Sequence, residues 1–233
     1  LAVVAVRDQP PGVDAKSQRE RRESLRYVLV GSWAVMRTPS ILTITSGGIA
    51  LSAGNTILGI WGGPYLNDVH GLGQTERGAV LIFMACSGIL GHFLYGQASR
   101  VIGSLKSLVL GGTAAISVIM GTLALLPTPS VITVTVLLAA LGMACGFPTI
   151  MLAHSRALVP DYLIGRALTT VNTGVMIAIA AMQMAIGGII GSVMISSDGQ
   201  ATAGGYRTAF GFFAVMAVLT FVIYSRAKDA KPR

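Results

Sequence analysis

The side chains in this sequence that could do chemistry are few, and most are uncharged. Asn55 and Gln183 lie near the middle of long apolar stretches. An amide at the centre of a bilayer is costly unless it is paired or faces water. Each therefore either bonds a solute in a cavity or bonds a neighbouring helix, the second worth about 0.6 kcal/mol. Trp61 and Tyr65 are four residues apart, which puts them on one helical face. They could wall an organic substrate or belong to an aromatic belt at the membrane surface. Trp61 is read toward the cavity and Tyr65 toward the belt. His92 is a candidate proton carrier, since imidazole titrates near about pH 6.5. Packing against helix backbone is the plainer reading. His154 is expected at a membrane edge, meeting solvent, and Asn172 is expected in a helix contact. Met176, Met182 and Met184 could form a soft wall, but Met182 and Met184 cannot both share the face of Gln183.

Those residues need elements to hold them, and composition says what kind. Only 11% of the 233 residues are charged while 53% are hydrophobic. A water-facing globular surface needs roughly 25% charge. Six apolar stretches, 39–66, 78–98, 107–126, 131–152, 168–195 and 208–225, contain no Asp, Glu, Lys or Arg. Each is long enough, or nearly so, for the roughly 20 residues a spanning helix needs. Strict polar/apolar alternation is missing, which excludes a β-barrel.

The basic residues sit between those stretches. Arg7, Lys16, Arg19, Arg21, Arg22, Arg26 and Arg37 precede the first, and Arg226, Lys228, Lys231 and Arg233 follow the last. Arg100 with Lys106, and Arg156 with Arg166, lie in alternate connections, leaving Arg77 and Arg207 for the others. Fifteen of the 17 cations thus fall on one side, which should be the cytoplasm, with the C-terminus there too. The net charge of +8 is topological and not a nucleic-acid footprint. The expected location is a bacterial inner membrane.

Three domains are expected. Residues 1–6 are read as the tail of a preceding transmembrane helix. Residues 7–37 form a basic cytoplasmic linker that includes either an interfacial helix or a cytoplasmic extension of the first span. Residues 38–233 form a six-helix transmembrane bundle with a short basic tail. Treated as two sets of three, the spans carry Gly62-Gly63-Pro64 and Gly146-Phe147-Pro148 in corresponding members. Broken helices at matched places in inverted repeats point to a transport site. Gly142 with Gly146, Gly187 with Gly191, and Ser87 with Gly91 are small pairs expected to serve close helix packing.

Cys86 and Cys145 have no partner at ligand spacing, so neither a disulfide nor a metal is expected. The phosphate-cradling Gly-x-x-x-x-Gly-Lys-Ser/Thr loop and the His-Glu-x-x-His zinc motif are both missing. That removes support for ATP hydrolysis or zinc proteolysis by this chain, and no cofactor is expected.

Three stretches resemble the major facilitator superfamily. Gly96, Arg100, Gly103 and Lys106, in the connection between the second and third spans, are similar to the family's cytoplasmic signature. Ser99 stands where the family usually has Asp, which removes a charge partner. Pro160 to Ala167, with Gly165 and Arg166, looks like the loop before the family's eleventh helix. Trp61 to Leu66, followed by His70-Gly71-Leu72 and Glu76-Arg77-Gly78, resembles the end of the seventh helix and the loop into the eighth. The resemblance implies an all-α fold of six helices arranged as a 3+3 inverted repeat, half of a twelve-helix carrier. It implies a small-molecule substrate, a lipid bilayer around the protein, and an N-terminal six-helix half as partner. Helices seven, eight, ten and eleven would line the cavity. The resulting expectation is solute transport by alternating access, not enzymatic catalysis. The competing expectation is the permease subunit of an ATP-driven transporter.

Overall fold

The computed structural model describes residue 35, residues 38–193 and residues 203–231. The expectations for residues 1–6 and for most of the 7–37 linker lie outside the described residues. Six helical spans of 21–31 residues run Pro39–Asp68, Gln74–Ile102, Leu105–Leu125, Val131–Ala157, Asp161–Gly191 and Ala203–Tyr224. At 1.5 Å per residue, even the shortest matches a hydrocarbon core of about 30 Å. Among the described residues there is no strand. The helices run past the apolar stretches into polar residues, because a helix need not stop where lipid does.

The first span is assembled from α1 (Pro39–Thr45), α2 (Gly47–Thr56), a π-helical turn (Ile57–Trp61) and α3 (Gly62–Asp68). Then come α4 (Gln74–Ile102) and α5 (Leu105–Leu125). The fourth span is α6 (Val131–Ala144) followed by α7 (Pro148–Ala157). A 3₁₀ turn at Asp161–Leu163 leads into α8 (Ile164–Val193), and α9 (Ala203–Tyr224) completes the bundle.

Local chemistry sets these boundaries. Pro39 and Pro148 open α1 and α7, where a missing N–H costs nothing. The Glu76 carboxylate accepts the Gly73 N–H at 2.9 Å and starts α4. Gly103, at φ 66°, closes α4 in the left-handed region that favours glycine. Ser104 and Ser130 accept the N–H groups of Ser107 and Thr133 and so cap α5 and α6. Arg207 Nε donates to the Ala124 carbonyl at 2.8 Å, satisfying the C-terminal end of α5 from α9.

The helices pack as an exchange of two triplets would require. α4 lies along α6, and α8 lies along α2. Swapping the first three spans with the last three converts one pair into the other. The same swap converts α5 against α6 into α9 against α2, and leaves the extensive α5–α9 contact on itself. The two interrupted spans, the first and the fourth, are also partners under this swap.

Glycine permits the closest crossings. A Cβ on Gly142 would collide with the Met84 carbonyl, and one on Gly146 with the backbone of Gly91. Gly48 approaches the Val175 backbone in the same manner. Gly142 and Gly146 therefore pack as expected. Gly187 and Gly191 do not: among the described residues nothing lies within 4 Å of a Cβ on Gly191, and only the Trp61 ring comes as near as 4.0 Å to one on Gly187. Among the described residues, only Trp61 approaches that small pair on α8.

Each end of the bundle is tied shut. At the end away from the basic loops, Tyr65 sits edge-on to His70, Tyr206 and Phe210, with ring centroids 5.0–5.2 Å apart. Tyr206 donates to Asp68 Oδ2 at 2.7 Å, so α3 is bound to α9. At the basic end, His154 is fully buried; one ring nitrogen bonds the Tyr224 hydroxyl at 2.9 Å, the other the Lys228 carbonyl at 2.8 Å. The expectation that His154 meets solvent is overturned. The chain after α9 folds back over the end of α7 and covers it.

Candidate functional site

Asn55 lies where two recesses meet. It stands one residue before the end of α2, beside the π-helical turn, and its side chain is exposed within the bundle. Its Nδ2 donates to the Leu51 carbonyl at 3.1 Å, which leaves the second N–H and Oδ1 for other partners. Two recesses meet at Asn55 and Pro148. One, of about 170 Å³, lies between α2, α7 and α8 and includes Met151, Asn172, Val175 and Met176. The other, of about 340 Å³, lies between α2, α4 and α6 and includes Leu58, Met84, His92 and Cys145.

The breaks in the helices create this meeting point. Pro148 cannot donate to the helix, so the fourth span parts at Cys145–Phe147. The π turn widens the first span at the same depth, and such turns concentrate at functional sites. Thr56, fully buried next to Asn55, is the one buried side-chain oxygen without a hydrogen-bond partner among the described residues.

His92 enters the second recess from α4. Its Nδ1 lies 2.8 Å from the Gly88 carbonyl, which can only accept, so Nδ1 carries a proton and Nε2 is left for another partner. The structure thus brings Asn55 and His92 into one recess and Asn55 and Asn172 into the other. Gln183 is half-buried on the same face of α8 as Asn172, Met176 and Ile179, about one turn beyond them. Trp61 comes close to α8 at Gly187, one turn further still. Tyr65 lines neither recess. It is 4% exposed in the aromatic cluster against α9, so Trp61 and Tyr65 do not share a wall.

Asn172 lines the recess, although the sequence reading placed it in a helix contact. Cys145 is also at a recess wall. The signal that could have found Cys145 is the break at Pro148, since a parted helix exposes the residues that flank it.

The signature residues lie at the basic end. Arg100 is exposed in the last turn of α4, where a cation suits the helix dipole. Gly96 has open space around it, and Ser99 donates to the Gly96 carbonyl. Gly165 and Arg166 open α8. A carboxylate does reach this region, from the tail: Asp229 Oδ1 accepts the Lys106 N–H at 3.3 Å, and Leu105 N–H donates to the Ala230 carbonyl at 3.0 Å. Burial alone would raise the Asp229 pKa. Hydrogen bonds from Ser104 and from the N–H groups of Lys106 and Ala230 outweigh it and hold the carboxyl below its ordinary value. At the other end, burial lowers the pKa of His70.

Six apolar spans, the first widened by a π turn and the fourth parted before Pro148, frame the recesses that meet at Asn55. The chain belongs to the Major Facilitator Superfamily, whose family model matches residues 1–183. It is accordingly an integral membrane protein of a transporter family and not an enzyme. Among solved structures it is similar to the inward-open xylose transporter XylE from E. coli, with a TM-score of 0.67 and 16% identity over 82% of this chain. It is also similar to a D-xylose-proton symporter, with a TM-score of 0.64 and 15% identity over 82% of this chain. The chain spans about half, 48%, of each of those proteins. At such identities the likeness carries the fold alone. No curated protein matches the chain.

Proposed function

We propose that this chain supplies one half of the central cavity of a secondary carrier, which moves a small solute across a bacterial inner membrane by alternating access. A second six-helix half supplies the facing wall, and the basic ends lie in the cytoplasm. The observation that carries this reading is the position of Asn55. It is an exposed amide at the junction of two recesses, bounded by α2, α4, α6, α7 and α8 and flanked by both broken helices. Asn55, Asn172 and His92 make the polar contacts to solute, with Gln183 and Trp61 at the far rim. The Gly96–Lys106 connection and the Gly165–Arg166 turn move with the helices they join.

The test is uptake by full-length protein in proteoliposomes, screened with labelled solutes. Asn55→Ala should lower uptake at least tenfold, while Gly111→Ala, on a face with open space, should leave it unchanged. Equal uptake by both variants for every transported solute would refute the assignment.

A further inference from the structure

The lining of the two recesses says what kind of molecule they accept. The first carries two polar side chains, Asn55 and Asn172, among Leu51, Met151, Val175, Met176 and other apolar groups. The second carries Asn55 and His92, with the Cys145 thiol, among aliphatic side chains and glycine. No Asp, Glu, Lys or Arg borders either. Against this half of the cavity, a charged solute would lose its hydration without gaining an Asp, Glu, Lys or Arg as counter-charge.

The hydrogen-bonding capacity left over is small. Asn55 has already given one N–H to Leu51, and His92 has given its Nδ1–H to Gly88. What remains on this half is one N–H and Oδ1 on Asn55, Nε2 of His92 and the Asn172 amide. Each buried hydroxyl left unmatched costs about 1–3 kcal/mol. A sugar carries several. Met151 and Met176 present polarizable, unbranched side chains that conform to irregular apolar shapes.

We infer that the solute is an uncharged, mostly apolar organic molecule with one or two hydrogen-bonding groups, and not a polyol such as the xylose carried by the proteins of similar fold. This rests on the transport reading above and adds the substrate class. The apolar body lies against Met151, Met176 and Leu58, and its polar group meets Asn55.

The experiment uses full-length protein in nanodiscs with two probes, N-phenyl-1-naphthylamine (neutral, aromatic, one N–H) and D-xylose. Ligand-dependent thermal stabilisation is followed by circular dichroism for wild type, Asn55→Ala and Met176→Trp, the last filling the first recess while keeping the Asn55 side chain. The naphthylamine should raise the unfolding midpoint of wild type, with affinity at least tenfold weaker in both variants, and xylose should do nothing. Stabilisation by xylose that Asn55→Ala abolishes would overturn the substrate class and leave the transport reading standing. Equal naphthylamine binding in Met176→Trp would also overturn the class, since the probe would then sit elsewhere. If no solute in the uptake screen responds to Asn55→Ala, the transport reading falls, and the class with it.

Discussion

Replacing His154 by Ala should loosen the basic end of the bundle, by an amount the structure lets us estimate. The imidazole bonds the Tyr224 hydroxyl and the Lys228 carbonyl. Removing it strands both, but not equally. Lys228 is exposed, so water can take its carbonyl. Tyr224 is 0% exposed, so its hydroxyl has nowhere to turn. One stranded buried group costs about 1–3 kcal/mol, and the vacated ring space adds to it. A total of about 2–4 kcal/mol shifts the midpoint of a chain this size by roughly 4–16 °C. The assay is thermal unfolding of full-length protein, with tryptic cleavage after Arg226 and Lys228 as a local reporter. The tail of His154→Ala should be cut faster before global unfolding. Tyr224→Phe removes the same bond from the other side, so the double variant should lose less than the sum of the singles by about 1–2 kcal/mol. Additivity within about 0.5 kcal/mol, or unchanged cleavage, would refute the clasp.

Gly146→Ala and Gly111→Ala should part company. The first drives a methyl into the Gly91 backbone and should reduce folded yield sharply, while the second meets open space and should stabilise by up to about 1 kcal/mol, as read by detergent-solubilised yield and midpoint. Thr56→Val should be neutral within about 0.5 kcal/mol in thermal unfolding, because its hydroxyl has no bond to lose; a large loss would expose a hidden partner. Asp229 has a folded pKa below its unfolded value of roughly 3.9. Its contribution is therefore fully present above that pH and lost as pH falls through the lower folded value. Asp229→Asn should cost stability at pH 7 and flatten the acid limb of the midpoint–pH curve. His70, with its pKa lowered by burial, should cost stability as pH falls below about 6.5, and His70→Gln should remove that slope.

The spans were legible because charge exclusion acts on every residue of a membrane helix and leaves a long, unmistakable record. Pro148 was legible for a similar reason, since it acts on its own backbone, whereas of the small pairs Gly142 with Gly146 packs as read and Gly187 with Gly191 does not. Residues that act across the bundle were not. Asp229 is 123 positions from the Lys106 N–H it meets, and His154 is 70 from Tyr224. Nothing in local spacing marks either pair. Trp61 and Tyr65 separated because the first span lies between two neighbours. One aromatic approaches α8 and the other α9.

The polar groups and the helix breaks coincide for a physical reason. An uninterrupted helix in lipid satisfies its own backbone and offers a ligand only side chains. A break frees carbonyl and N–H groups and opens space, but these are tolerable at depth only where they border a cavity or packed protein. The first span is widened by the π turn at Ile57–Trp61 and the fourth parts at Cys145–Phe147, and Asn55 and Pro148 line both recesses. Closing either break should therefore damage the site more than it damages the fold. Pro148→Ala, which restores an N–H donor to the parted span, should raise the thermal midpoint and lower uptake together. A variant that lost stability and uptake in step would show that the break serves packing alone.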